Sequence, residues 1–266
     1  WVVEMLDACK SHGVTGIVRL NQLPLDATKG LHEWSPEFWS DRSHLDDVIV
    51  ALRKLGEALS PRGDEFGAYI VLSEPITSTL GVKHTPKEWP EFQLEIVDEL
   101  RKIDPDRYIV VTPGPGGSPA RYGEFAPLKR HNIIYGAHVY VPHEFTHQGI
   151  NNWKDKRSRY PGLVGRKRWN KATLEEFVGP LLRFQEQYKV PVFIGEFSVI
   201  HGAEGDTEYL KDLMGIFDEA GWGWSYFLYR GNPIWNIGDP AEVPNTNNRG
   251  EKRYLDAQVT RWRLIT

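Results

Sequence analysis

Short apolar, β-branched runs alternate with amphipathic helical patterns along this chain, and that alternation constrains the fold more than any other feature. Strand-like runs fall at 16–20, 68–73, 108–112, 133–140, 190–196 and 222–228. Helix-like segments lie between them. Residues 2–12 stop at Gly13, a C-cap signal. Residues 44–59 place Leu45, Val48, Ile49, Leu52 and Leu55 on one face. Residues 90–102 carry Phe92, Ile96, Val97 and Leu100. Thr173-Leu174-Glu175-Glu176 predicts a capping box that opens a helix to Tyr188. Residues 206–220 end at Gly221. Strand–helix alternation with strands apolar on both faces predicts parallel βαβ units, hence an α/β fold. No glycine-rich phosphate loop follows the first strand, so a nucleotide-binding doubly wound sheet is not expected. The Gly114-Pro115-Gly116-Gly117 stretch predicts a tight turn. With 266 residues and no repeat or linker, one domain over 1–266 is expected.

Two glutamates end two of the strand-like runs. Glu74 closes Ala68-Tyr69-Ile70-Val71-Leu72-Ser73-Glu74, and Glu196 closes Val190-Pro191-Val192-Phe193-Ile194-Gly195-Glu196. A carboxylate there is costly to place unless it emerges into a polar cleft. One per strand suggests a facing pair, the equipment for glycosidic bond cleavage: one group protonates the leaving oxygen and the other stabilises or attacks the anomeric carbon. Tyr140 and Phe227 also sit at strand ends. In an α/β barrel all four would feed the face that carries the site.

The rest of the composition narrows the class. Net charge is −4, which gives no bulk attraction to nucleic acid. One cysteine, Cys9, excludes an intramolecular disulfide and predicts a buried structural thiol. No apolar run reaches the roughly 20 residues of a membrane span, and no signal peptide is visible. The chain has 10 Trp, 11 Tyr and 11 Phe. Some belong to a core; exposed ones would give flat platforms for the C–H faces of sugars.

Four motifs then stand in a telling order: Ser73-Glu74-Pro75, Gly136-Ala137-His138-Val139-Tyr140-Val141-Pro142, Phe145-Thr146-His147-Gln148-Gly149 and Gly195-Glu196-Phe197. Together, over residues 1–227, they resemble glycoside hydrolase family 5, within the clan of retaining (β/α)8 TIM-barrel glycosidases. The resemblance implies that Glu74 is the general acid/base and Glu196 the nucleophile. It implies that Tyr140 hydrogen-bonds the nucleophile, that His138 shapes the innermost sugar subsite, and that His147 lies near the site.

The chain departs from the family pattern in three places. Ser73 stands where the family has Asn, and a serine hydroxyl offers a single donor in place of that contact. Phe227 occupies the position of the family's platform Trp, with Trp224 and Trp235 nearby as substitutes. The run at 16–20 matches the family's third strand, with Asn21 where the family has His. The first two strand–helix units, with the Arg the second supplies, then lack a counterpart, so the barrel is expected to be N-terminally incomplete. A chain that is part of a longer protein is the favoured explanation; strands supplied by another chain, or a misplaced register with Arg19 as that Arg, are the others.

The expected activity is therefore a retaining endo-β-1,4-glucanase that uses no cofactor and takes a polysaccharide or oligosaccharide substrate. No nucleic-acid or membrane partner is expected. Secretion or a periplasmic location follows from the resemblance. The oligomeric state is not indicated. The alternative is a catalytically weakened carbohydrate-binding protein on a degenerate barrel, or a related β-mannanase, xylanase or β-1,3-glucanase. His143, Glu144 and His147 fit no familiar zinc spacing, and no metal is expected there. His84, His143 and His201 are expected on the surface or in loops. The basic stretch 154–168 is expected to be a solvated loop, and 230–248 a long surface loop.

Overall fold

In a computed structural model, residues 1–20, 36–79, 82–229 and 234–237 are described. The chain opens with α1 (Val2–Ser11), β1 (Gly16–Leu20), α2 (Pro36–Ser40), α3 (Arg42–Leu59) and β2 (Phe66–Val71). A short antiparallel pair, β3 (Thr77–Thr79) and β4 (Val82–His84), precedes α4 (Trp89–Arg101) and β5 (Tyr108–Val111). Then come β6 (Ile133–Val139), the single turn α5 (His143–Thr146), the hairpin β7 (Gly162–Val164) and β8 (Lys167–Trp169), and α6 (Lys171–Tyr188). β9 (Val192–Phe197), α7 (Asp206–Glu219) and β10 (Gly223–Trp224) follow.

Six strands form one sheet in the order β1-β2-β5-β6-β9-β10. The pairs β1·β2, β2·β5, β5·β6 and β9·β10 are parallel, as strand–helix alternation requires. The first five strand-like runs correspond to β1, β2, β5, β6 and β9, but the expected strand 222–228 is reduced to the two residues of β10, so Phe227 lies beyond the strand and not at its end. The contacts divide the chain into two units, 1–137 with 184–192, and 138–183 with 193 onward.

In the first unit, α3 and α4 pack on each other and bury most of the stripes their spacing predicts, Leu55 being only half-buried. Leu45, Val48, Ile49, Leu52 and Leu59 are buried on α3, and Trp89, Phe92, Ile96, Val97 and Leu100 on α4. Asp41 caps α3 by accepting from the Ser43 N–H at 2.9 Å. Arg107 anchors the start of β5. It pairs with Asp104 at 3.2 Å, donates to the Arg62, Gly63 and Phe66 carbonyls, and lies over the Phe66 ring. Gly116 and Gly117, both left-handed, make the turn expected after β5. Cys9 is half-buried, less enclosed than expected, because α1 exposes most of its surface and buries only Leu6.

In the second unit, Phe145, Tyr160 and Tyr209 pack together, as do Phe197, Phe217 and Trp224. The capping box of α6 lies one turn earlier than predicted. Asn170 Oδ1 accepts from the Thr173 N–H at 3.1 Å and Thr173 Oγ1 from the Asn170 N–H at 2.8 Å. Asn170 is thus the cap and Thr173 its partner, because Asn caps at least as well as Thr.

The tryptophans divide between the core and partly covered positions. Among the described ones, Trp39, Trp89 and Trp222 are core residues and only Trp1, at 85 %, is in the exposed class. The others sit half-buried.

Candidate active site

In the first unit, β2 ends at Val71 and the chain turns sharply. Leu72 takes φ 47°, a left-handed backbone that a branched residue adopts only under constraint. The next carbonyl, of Ser73, accepts from Thr112 Oγ1 at 3.0 Å. The Ser73 side chain is buried, and its hydroxyl has no hydrogen-bond partner among the described residues. Glu74 follows, half-buried. Asn21 lies outside the described residues.

In the second unit, three strand ends contribute. Glu196, in β9, is only 7 % exposed. The Tyr140 hydroxyl, one residue beyond β6, donates to Glu196 Oε2 at 2.7 Å. His138 Nδ1, in β6, lies 3.9 Å from the same oxygen. A donor bond and an imidazole edge therefore converge on one carboxylate oxygen and fix its orientation. Gly195 makes the approach possible, since a Cβ there would lie 3.1 Å from His138 Nε2. The backbone around Glu196 is fixed by neighbours: Ser225 Oγ donates to the Gly195 carbonyl at 2.7 Å, and the Phe227 N–H to the Phe197 carbonyl at 3.1 Å.

Around Tyr140 runs a belt of rings. Tyr140 meets His147 at 5.4 Å and Phe227 at 6.4 Å between centroids. Trp235 meets His147 at 5.1 Å and Phe227 at 6.1 Å. Sequence reasoning named all four, and the fold gathers them. It does not gather Trp224, whose Nε1 donates to Asp218 Oδ1 at 3.0 Å while its ring lies on Phe197.

Several supporting residues were missed. Thr146 Oγ1 donates to the Tyr140 carbonyl at 2.7 Å. With its one proton used there, it accepts from His147 Nδ1–H at 2.8 Å, which sets that imidazole's orientation. Thr146 sits inside a motif already singled out, so the signal was present. His201, expected on the surface or in a loop, lies in the loop after β9 but is only 2 % exposed. Its ring bonds the Asn236 carbonyl, and its N–H donates to the Ile234 carbonyl at 2.9 Å. Those bonds hold the segment 234–237, which carries Trp235 and is largely buried although it falls in an expected surface loop.

The comparisons bear on this geometry. The sequence model of the cellulase family, glycosyl hydrolase family 5, matches residues 71–233, well over half of the chain. Endoglucanase C of Acetivibrio thermocellus is 26% identical over 169 residues, 53% of this chain and 49% of that protein. The chain thus spans about half the length of the curated relatives it matches. A structure described as a glycoside hydrolase superposes with TM-score 0.74 at 22% identity, over 97% of this chain and 80% of that one. Cel5A of Thermotoga maritima in complex with cellobiose gives 0.73 at 19% identity, over 90% and 72%, and the same protein has been solved with mannotriose. These likenesses establish the fold as that of the (β/α)8-barrel class.

Proposed function

Because the chain belongs to glycosyl hydrolase family 5, we propose that it hydrolyses β-linked glucans with retention, as an endo-acting β-1,4-glucanase. The observation that carries the reading is Glu196. A carboxylate buried to this degree at a strand end, with a tyrosine hydroxyl 2.7 Å from one oxygen, is held in one orientation. That is the requirement for a nucleophile and is costly to maintain for any structural purpose.

In the proposed reaction, Glu74 in its acid form gives its proton to the glycosidic oxygen while a Glu196 oxygen attacks the anomeric carbon. The aglycone leaves as an alcohol and a glycosyl ester remains on Glu196. Glu74, now a carboxylate, takes a proton from water as that water attacks the same carbon. The ester bond breaks, Glu196 is restored, and the anomeric configuration is retained. His138 orients Glu196, while Tyr140, His147, Phe227 and Trp235 line the approach for sugar rings. Polysaccharides and oligosaccharides are the proposed substrates, and secretion or periplasmic export the proposed destination. No helix among the described residues is long and apolar enough to cross a membrane.

A second reading, for β-mannan, is favoured by the mannotriose complex of the Thermotoga protein. The products released from a panel of β-glucans, mannan and xylan decide between them. Short β-1,4-gluco-oligosaccharides are expected, and release from mannan alone would replace glucan with mannan as the substrate. Unchanged hydrolysis by Glu196→Gln would remove the enzymatic reading of this site.

A further inference from the structure

The peptide leading into Glu74 is held by residues that none of the four motifs contains. Thr112, directly after β5, donates Oγ1–H to the Ser73 carbonyl at 3.0 Å, and both residues are 2 % exposed. The carbonyl of Thr112 is itself fixed from α4, by Trp89 Nε1 at 3.0 Å and Gln93 Nε2 at 3.3 Å. Both of those side chains are buried. The link therefore runs from a helix through one threonine to the residue before Glu74.

Its location gives it weight. Leu72, two residues before Glu74, has φ 47°. A non-glycine residue stays in that region only where its surroundings over-determine it. On one side its N–H donates to the Leu20 carbonyl at 3.4 Å. On the other the Thr112 hydroxyl clamps Ser73. Without that clamp, the strained turn has a path to relax, and relaxation swings the Glu74 carboxyl.

We propose that Thr112 is a positioning residue for Glu74, held in place by Trp89 and Gln93, and that it sets how well Glu74 transfers its proton. The proposal rests on Glu74 being the acid/base. A threonine that merely filled a buried hydrogen bond would stabilise the fold without favouring one step of the reaction. Proton donation matters most when the leaving group is a poor one, so leaving-group dependence separates the two roles.

The test uses aryl β-glycosides of whichever sugar the wild-type protein turns over, with dinitrophenol and phenol as leaving groups, and melting temperatures alongside. Thr112→Val removes the hydroxyl at constant shape and Thr112→Ser keeps it. The expected result for Thr112→Val is a loss of roughly tenfold to a hundredfold in kcat/KM on the phenyl substrate, with little loss on the dinitrophenyl one. Thr112→Ser restores the phenyl rate. Equal losses on both substrates, or none, would overturn the proposal.

Gln93→Met is the second variant. It removes the donor to Thr112 and also a buried amide oxygen that has no partner among the described residues. Folding should survive, and a smaller loss confined to the phenyl substrate is expected. Glu74→Gln is the control that keeps the two claims apart. If it shows no added leaving-group sensitivity, the acid/base reading itself fails. If it does and Thr112→Val does not, only the role of Thr112 fails.

Discussion

The Tyr140 hydroxyl donates to Glu196 Oε2 at 2.7 Å, across 56 residues of sequence, and Glu196 is almost fully buried. Tyr140 is in turn fixed through its carbonyl by Thr146 and through its ring by His147 and Phe227. The ends of two strands adjacent in the sheet, β6 and β9, not a single motif, therefore define the orientation of the Glu196 carboxylate.

Removing that hydroxyl has a predictable effect. Tyr140→Phe leaves a buried carboxylate short of a charge-assisted hydrogen bond, worth about 1.5–3 kcal/mol. If the bond is needed at the transition state, kcat/KM falls by about tenfold to a hundredfold. Unchanged rates would mean that Tyr140 does not position Glu196 for the reaction.

Stability is expected to depend sharply on Arg107. It pairs with Asp104, which also accepts from Tyr69 Oη at 3.0 Å, and it satisfies three backbone carbonyls between Arg62 and Phe66. Burial and the Asp104 carboxylate push the Tyr69 hydroxyl's pKa up, so Tyr69 stays a donor and cannot replace the lost cation. Arg107→Met should cost about 3–5 kcal/mol, the penalty for breaking a largely buried pair from one side. Denaturant unfolding measures it. Arg107→Lys should recover little, since a single ammonium cannot reach Asp104 and three carbonyls at once.

Two left-handed glycines in the second unit should respond differently to alanine. At Gly221, φ 68°, a Cβ would meet nothing within 4 Å, so Gly221→Ala carries only the backbone penalty of about 1–2 kcal/mol. Gly205, φ 84°, would place its Cβ 1.6 Å from the Tyr160 carbonyl oxygen, so the backbone there must move. Gly205→Ala is expected to lower the melting temperature far more than Gly221→Ala. Equal shifts would contradict the close approach.

Acid sensitivity follows from two carboxylates of α4, Glu99 and Asp98. Hydrogen bonds from Lys102 and Arg53 hold Glu99 below its ordinary value of 4.5, and Arg130 holds Asp98 below 3.8. Depressed carboxylates contribute their full stabilisation above those ordinary values. The contribution is lost as pH falls through the lower, folded-state values. Melting temperature should therefore be flat with respect to these groups above about pH 5 and fall below it. Glu99→Gln should flatten part of that fall. A melting temperature that rises between pH 5 and pH 3 would contradict the sign.

Much of this site was legible in the sequence because its signals are local. A charged residue ending an apolar run, as at Glu196, marks a strand end facing something polar. His138 and Tyr140, two apart on one strand, share a face by the period of a strand. The alternation of strand and helix likewise fixed the parallel sheet. What was not legible depends on distant partners. His201 reads as a loop histidine until the segment around Asn236, 35 residues on, closes over it. Thr112 gains its place only when β2 and β5 lie side by side and bring it to Ser73, 39 residues away. Trp224 looked like a sugar platform by position, but the end of α7 supplies Asp218 to its indole N–H. Helix ends depend on competition between neighbours, which is why the cap of α6 falls on Asn170 and not on Thr173.

The central claim is that Glu196 forms the covalent bond to the sugar. Incubation with an activated 2-deoxy-2-fluoro glycoside, matched to the sugar the protein turns over, slows both steps but leaves formation of the glycosyl ester faster than its hydrolysis. Mass analysis of the intact chain and its peptides should show one added sugar, on the peptide containing Gly195-Glu196-Phe197, with the label absent in Glu196→Gln. Turnover of the parent substrate with label on another carboxylate, or with inversion and no label, would contradict the account.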